Sequence, residues 1–274
     1  MSRKKSSANR RSSERLAFQT PRRNGGVWMV PSRWVKNFVA IFLLPVALVL
    51  TQTFFGLFTK VNSDRAFWVS EEFWFFTLGA ALWTLWFFGS IWALGMPRPL
   101  RAYVFGHELT HAIWVWMWGG RVSRFEVSRE GGYILTDTHN FWIALAPYFY
   151  PIYSVAVVLG FGIASVFCDF TRVDDTLLFM TPLQWLFLLL GGTWAFHLSF
   201  TIWMIPKGQT DLTYHGTFFS LVVIYLMNLL LITGFLIVIA RKLTFAGYFH
   251  DLFENTRHLA LLIGDWVERL RESQ

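Results

Sequence analysis

The pentapeptide His107-Glu108-Leu109-Thr110-His111 contains the side chains of this sequence that are best suited to chemistry. On an α-helix, positions four residues apart lie on the same face, so both imidazoles can bind one metal ion. Glu108 lies beside that face and can take a proton from a water molecule that the metal activates. Two imidazole nitrogens and a carboxylate suit Zn2+ and leave a position for water or substrate. The pentapeptide therefore predicts a catalytic zinc site with Glu108 as general base.

The pentapeptide is followed directly by an apolar run, because residues 112–118 consist of alanine, isoleucine, valine, methionine and three tryptophans. Three polar side chains there could simply be hydrogen-bonded residues in a helical core. Ionisable groups at bilayer depth, however, cost several kcal/mol and usually mark function. Metal binding would offset that cost, so we favour a metal site over a purely structural role.

The composition indicates an integral membrane protein. Hydrophobic residues make up 54% of the 274 positions and charged residues only 15%, whereas a soluble domain has about 25% charged residues. The apolar residues also occur in long blocks. The single cysteine, Cys168, excludes an internal disulfide and a zinc site built from cysteines.

Six apolar segments have the length of a membrane-spanning helix, which needs about 20 residues to cross a hydrocarbon core of ~30 Å. We therefore expect an all-α polytopic membrane protein with the pentapeptide in its third span. The six segments cover residues 38–58, 73–94, 103–118, 142–167, 182–205 and 217–240.

Two further segments are not expected to span the membrane. Residues 121–136 alternate partly between apolar and polar side chains and turn at Gly131-Gly132, which predicts a β-hairpin after the pentapeptide helix. Residues 243–274 repeat apolar side chains every three or four positions, with charged side chains between them. They predict an amphipathic helix that lies on the membrane surface or against the other helices.

Residues 1–35 form a basic arm that we expect to be disordered, because it is too polar to bury a core. Residues 1–36 carry ten Lys or Arg and a single acidic residue, Glu14. A basic flank beside the first span sets orientation and contacts anionic lipid, so nucleic acid is not expected as a partner. Residues 36–242 then form the transmembrane core. We expect a multi-pass protein of a bacterial inner membrane with both termini in the cytoplasm.

The sequence resembles the site-2 protease-like intramembrane zinc metalloproteases over residues 103–228. The resemblance rests on HELTH in an apolar helix, on the Gly-Gly and hairpin that follow, and on the proline-containing helix after the hairpin. In that family the two motif histidines bind zinc and the motif glutamate is the general base, which implies these roles for His107, His111 and Glu108. The resemblance also implies that the hairpin offers an edge to an unfolded substrate strand.

The third metal ligand is less clearly indicated, because the aspartate of that family lies in an LDG-type motif that this chain lacks. Asp211 is the best substitute, since it follows a proline-glycine break and precedes the last span. His197, within the fifth span, is the alternative ligand and lies at mid-depth in a simple count of the spans. Asp211 reaches the motif histidines only if Pro206 and Gly208 let the chain re-enter the membrane. We favour Asp211 and keep His197 as the alternative.

Together these features predict an intramembrane zinc metalloprotease that hydrolyses a peptide bond of a membrane protein or transmembrane peptide. A metal-bound water would be the nucleophile and Glu108 the general base. Asn140 and Pro147, from the proline-containing helix, are further candidates to line the site. One alternative is a non-catalytic scaffold that retained the fold, and another is a metal-ion transporter. The intact Glu108 speaks against a scaffold, and a transporter leaves the hairpin without a role.

Overall fold

A computed structural model of the protein describes residues 33–128, 131–167, 170, 179–240 and 243–273. The basic arm expected over residues 1–35 therefore lies outside the described residues, apart from its last positions, which begin the first helix. The described residues are mostly helical, and the sheet among them has two strands.

The described residues form ten α-helices and two strands. In chain order these are α1 (Arg33–Asn62), α2 (Arg65–Trp68), α3 (Glu71–Leu94), α4 (Leu100–Met117), β1 (Val122–Val127), β2 (Gly132–Thr136), α5 (Phe141–Leu145), α6 (Ile152–Phe167), α7 (Pro182–Met204), α8 (Thr210–His215), α9 (Thr217–Ile239) and α10 (Phe245–Glu272). Short 3-10 turns follow α5 at Ala146–Tyr148 and α7 at Ile205–Lys207.

Four helices in the described ranges, α1, α3, α7 and α9, are long and apolar enough to cross a membrane. A fifth span is added if the bent pair α5 and α6 crosses as one unit. These helices are consistent with a membrane protein, but the expected number of six spans is not confirmed. The difference lies in the third and fourth expected spans.

The fourth expected span, over residues 142–167, is broken, so the prediction of one continuous helix there is wrong. The segments Phe141–Tyr148 and Ile152–Phe167 are bent by 80° relative to each other. Pro147 and Pro151 lie at the break. A proline inside a helix lacks an N–H donor and clashes with the carbonyl of the preceding turn, so α6 begins only after Pro151.

The third expected span corresponds to α4, which carries the pentapeptide but has only 18 residues. At ~1.5 Å per residue its length is about 27 Å, slightly less than a hydrocarbon core of ~30 Å. The helix ends at Met117, because Gly119 adopts a φ of +71° in the left-handed region that glycine tolerates. Its buried face includes Glu108 and His111. The polar side chains of the motif therefore point into the protein.

The predicted β-hairpin is confirmed. Strands β1 and β2 pair antiparallel, with Val127 opposite Gly132. Ile134 of β2 packs with Val115 of α4 and Ile143 of α5 in a small buried cluster. The hairpin is thus attached to the pentapeptide helix through β2, while most of β1 is exposed.

Helices α3 and α7 contact each other backbone to backbone. A Cβ atom built on Gly79 of α3 would overlap the carbonyl oxygen of Leu188, and one built on Gly191 of α7 would overlap the carbonyl oxygen of Phe76. Small residues permit this close approach, as they do at many contacts between membrane helices. The two glycines therefore determine where α7, and the chain that follows it, can lie.

By its contacts the chain divides into two compact units. Residues 75–217 belong to the first unit, which contains the pentapeptide, the hairpin and every candidate metal ligand. Residues 32–74 and 218–274 belong to the second unit, which contains α1, α9 and α10. The candidate site therefore lies entirely within one unit.

Within the second unit, α10 packs against α1. The Lys60 ammonium donates to the Asp251 carboxylate at 2.6 Å, and the Asn255 amide donates to the Thr53 hydroxyl at 2.9 Å. The later residue of α1, Lys60, contacts the earlier residue of α10, Asp251. The two helices therefore run antiparallel. The C-terminal helix expected over residues 243–274 is present, and it lies against another helix, which is one of the two expected placements.

Candidate metal centre

Helix α4 directs His107 and His111 to one point, since residues four positions apart share a face. The Nε2 atoms of the two imidazoles lie 3.2 Å apart. The Nδ1 atom of His111 lies 2.8 Å from the backbone carbonyl oxygen of Ile143 in α5. Nδ1 therefore carries the proton and donates to that carbonyl, which leaves the Nε2 lone pair facing His107. A carbonyl partner of this kind sets the tautomer and ring orientation of metal-binding histidines.

Ile143 is itself held by the cap at the start of α5. The side-chain oxygen of Asn140 accepts a hydrogen bond from the Ile143 N–H at 2.8 Å. Ile143 thus bonds to Asn140 through its N–H and to His111 through its carbonyl. Asn140, which is a candidate from the sequence to line the site, is linked to His111 through Ile143.

Asp211 reaches the histidines from a position 104 residues after His107. After α7, a 3-10 turn covers Ile205–Lys207 and Gly208 adopts a φ of +72°. This left-handed residue turns the chain into the short helix α8, in which Asp211 is buried. The Asp211 Oδ2 atom lies 3.3 Å from the Nε2 atom of His107 and 3.5 Å from that of His111.

The three ligand atoms have the spacing that a tetrahedrally bound metal ion requires. With metal–ligand bonds of about 2.0–2.1 Å, the ligand atoms of a tetrahedral site lie roughly 3.3–3.4 Å apart. The separations among His107, His111 and Asp211 are 3.2, 3.3 and 3.5 Å. The three residues form a mostly buried group that could hold a metal ion. Their number, chemistry and spacing all fit such an ion.

The charge of Asp211 also suits a cation. Burial alone would raise the pKa of Asp211, but the neighbouring His111 and His107 outweigh this effect and leave the pKa below its usual value. The Tyr148 hydroxyl also donates to the Asp211 Oδ2 atom at 3.3 Å. The carboxylate is therefore ionised at neutral pH, in the form that binds metal.

Two tyrosines that were not predicted from the sequence support the ligands. The Tyr103 hydroxyl lies 3.3 Å from the Nδ1 atom of His107, and the Tyr103 ring stacks on Phe200 of α7 with a centroid distance of 4.5 Å. The Tyr148 ring meets the His107 ring edge to face at 5.5 Å. Tyr103 could have been found from its position, four residues before His107 on the same helical face. Tyr148 could not, because its placement depends on the break between α5 and α6.

Glu108 is buried between the motif histidines and the hairpin. It is 7% exposed. Gly132, at the start of β2, leaves room for it, because a Cβ atom on Gly132 would lie 2.6 Å from the Glu108 Cγ atom. The hairpin therefore contacts the candidate general base through a residue without a side chain.

His197 lies outside the group of three and faces an adjoining cavity. Its ring is buried and interacts with the backbone carbonyl of Tyr148, and its Nε2 atom has no hydrogen-bond partner among the described residues. The geometry thus favours Asp211 over His197 as the third ligand. His215, at the end of α8, stacks on the ring of His139 with a centroid distance of 5.4 Å.

No family model matches the chain, and neither a curated protein nor a solved structure matches it. What the protein can do thus follows from its own residues. These residues are the mostly buried group of His107, His111 and Asp211, and Glu108, which follows His107 on α4.

Proposed function

We propose that the protein is an intramembrane zinc metalloprotease, similar to the site-2 proteases, that hydrolyses a peptide bond of a membrane-embedded substrate. The observation that carries this proposal is the tetrahedral spacing of His107, His111 and Asp211. Metal binding alone requires only these ligands. The buried Glu108 beside them adds the proton acceptor that hydrolysis needs.

The chemistry divides between the ion and the chain. A bound zinc ion supplies Lewis-acid activation of water and of the scissile carbonyl group. Glu108 takes a proton from the attacking water and later passes it to the leaving amine. Asp211 contributes a negative charge to the centre, and Ile143 holds the His111 ring in its metal-binding orientation.

Strand β1 offers an edge for an extended substrate segment. β2 lies toward the core, whereas Ser123, Arg124, Phe125 and Glu126 of β1 are exposed. A substrate segment that pairs with β1 gains main-chain hydrogen bonds. This pairing also keeps the substrate unwound, which hydrolysis requires because the backbone of a helix shields its own peptide bonds.

We expect the reaction to occur within or beside a membrane, because four helices are long and apolar enough to span one. The basic residues among positions 1–36 favour a cytoplasmic N-terminus and contact with anionic lipid. A bacterial inner membrane with both termini in the cytoplasm is the proposed location, and a membrane protein or transmembrane peptide is the proposed substrate.

The first test is the zinc content of the purified full-length protein. We expect about one zinc per chain in the wild type, because the ligand set completes a single site. His111→Ala and Asp211→Ala should lose this zinc, whereas His197→Ala should keep it. Well-folded wild-type protein that binds no metal when zinc is supplied would contradict the proposal.

The variant Glu108→Gln separates metal binding from catalysis. It keeps the shape of the side chain and the metal ligands but removes the proton acceptor, so hydrolysis should fall about 100-fold or more while the zinc content stays unchanged. Cleavage of a disordered protein and of transmembrane peptides in lipid nanodiscs is followed by mass spectrometry. A zinc-loaded wild type that cleaves none of these substrates would favour the non-catalytic scaffold, and zinc flux in vesicles would favour the transporter.

A further inference from the structure

Helix α8, which carries Asp211, is too short to hold its own position. It has six residues, whereas isolated helices of fewer than ~12–15 residues are only marginally stable in water. Two glycines with positive φ lie beside it, Gly208 at +72° and Gly216 at +93°, so the chain permits many orientations at both ends. A metal ligand must nevertheless be held to within ~0.5 Å. The packing of α8 against other elements therefore has to supply this precision.

The buried residues of α8 show where this packing occurs. Asp211, Leu212 and His215 are buried, whereas Thr213 and Tyr214 are exposed. Asp211 and His215 are four positions apart and so lie on the same face of the helix. His215, which is 3% exposed, is thus a packing contact that lies one helical turn from the candidate ligand.

His215 packs against the residues at the start of α5. Its ring is stacked on the ring of His139, with the two centroids 5.4 Å apart and an angle of 7° between the ring planes. This separation is within the range of about 4.5–7 Å for aromatic pairs. The Phe141 ring also meets the His215 ring edge to face at 6.5 Å, and the Tyr214 ring meets the His139 ring edge to face at 4.9 Å. The histidine pair, His139 and His215, therefore joins α8 to α5.

The histidine pair completes a closed path of contacts around the candidate metal centre. On one side, α5 begins two residues after His139, and the carbonyl oxygen of its Ile143 accepts from the His111 ring. On the other side, His215 lies one turn after Asp211, whose Oδ2 atom is 3.5 Å from the His111 Nε2 atom. Two candidate ligands that are far apart in the sequence are thus linked a second time, through the stacked rings.

We infer that the histidine pair positions Asp211 as a metal ligand, so that His139 and His215 are positioning residues of the metal centre. Neither belongs to the group of three described residues that could hold a metal ion. The inference rests on the metal site of the proposed function, and it assigns a role to two histidines that the proposed hydrolysis does not use. Because the stack needs a flat ring at position 215, the shape of that ring should matter more than its nitrogen atoms.

The zinc affinity of the full-length protein in detergent, measured by competition with a coloured chelator, tests this role. His215→Ala should lower the affinity about tenfold, as the loss of an indirect support of a metal ligand typically does. His215→Phe should stay close to the wild type, because phenylalanine provides a flat ring for the stack. Thr213→Ala is the matched control, since Thr213 lies on the exposed face of α8, and it should also behave as the wild type.

A double variant shows whether the two histidines act together. His139→Ala should lower the zinc affinity as much as His215→Ala does, and the double variant should lower it no further, because all three lose the same contact. The melting temperature of the metal-free protein is measured alongside. A purely structural contact would lower this temperature and leave the zinc affinity unchanged. His139 is only half-buried, so His139→Ala provides the test even if His215→Ala does not fold.

The possible failures are distinguishable. Unchanged zinc affinity in the folded alanine variants would overturn the positioning role and leave the metal centre intact. A loss in His215→Phe as large as that in His215→Ala, or additive losses in the double variant, would show that the stack is not the cause. Wild-type protein that binds no zinc would overturn the metal centre, and the positioning role with it. Wild-type protein that binds zinc but hydrolyses nothing would overturn only the proposed protease.

Discussion

The ring of His111 is linked through Ile143 to Asn140, a residue outside the candidate ligand set. Asn140 caps α5 by accepting from the Ile143 N–H, and the Ile143 carbonyl accepts from the His111 ring. Removal of a hydrogen-bond partner of a metal-binding side chain typically lowers metal affinity by roughly 10- to 100-fold. The cap of a five-residue helix is therefore part of the candidate metal centre.

Asn140→Ala should lower zinc affinity about tenfold and destabilise the protein by about 1 kcal/mol through loss of the cap. Affinity is measured by competition with a coloured chelator, and stability by thermal unfolding in detergent. Asn140→Asp is the control, because aspartate also caps helices and should keep both properties close to wild type. Unchanged zinc affinity in Asn140→Ala would show that the cap does not orient His111.

At the residue scale, local geometry was enough to predict the motif residues, whereas the preference for Asp211 as the third candidate ligand depended on an assumed turn of the chain. His107, Glu108 and His111 lie within one helical turn, so local geometry brings them together whatever the rest of the chain does. Asp211 comes close to them only through the turn at Gly208 and the placement of α7, which are long-range properties. A simple count of the spans placed His197, and not Asp211, at the membrane depth of the motif histidines, because the count did not include such a turn.

At the element scale, the hairpin and α4 meet at a contact that has room for no side chain. A Cβ atom on Gly132 would lie 2.6 Å from the Glu108 Cγ atom and 2.9 Å from the Glu126 carbonyl oxygen. One of these neighbours must move if the residue is enlarged. The strand therefore limits the space that is open to the Glu108 side chain.

Gly132→Ala should retain zinc and lower hydrolysis about 100-fold, because a shift of ~1 Å in a catalytic group can have that effect. Zinc content and cleavage rate are measured on the same preparation. Gly160→Ala in α6 is the matched control, since a Cβ atom there meets nothing within 4 Å. Wild-type activity in Gly132→Ala would mean that the hairpin does not position Glu108.

A larger side chain at Gly191 should separate α3 from α7. Gly191→Val places its Cβ against the Phe76 carbonyl oxygen, and overpacking of this kind costs roughly 1–3 kcal/mol. The melting temperature in detergent should fall clearly. The neighbouring Gly192→Ala should have little effect, because its Cβ would meet the nearest atom at an ordinary 3.5 Å. Equal melting temperatures for the two variants would contradict the close contact.

The elements themselves were only partly predictable. Long apolar segments gave α1, α3, α7 and α9, and partial alternation gave the hairpin, because these patterns are local. Hydropathy alone did not reveal the break between α5 and α6, where Pro147 and Pro151 interrupt a segment that is apolar throughout. Helix α8 has only six residues, so its sequence cannot be told apart from that of a loop.

At the scale of the whole molecule, the candidate site and the C-terminal helix belong to different units. Removal of residues 245–274 should therefore leave the zinc content unchanged and lower the melting temperature, because α10 packs against α1. Asp251→Asn is the milder comparison, since it removes only the partly exposed ion pair with Lys60, which contributes about 0–1 kcal/mol. Loss of zinc on truncation would show that the centre depends on the second unit.

The separation of the ligands along the chain also imposes an order in time. Asp211 follows His107 by 104 positions, and ribosomes add roughly 5–20 residues per second. The histidines and the base therefore leave the ribosome about 5–20 s before the residue that completes the centre. The candidate centre can therefore hold a metal ion through all three residues only after synthesis has passed Asp211.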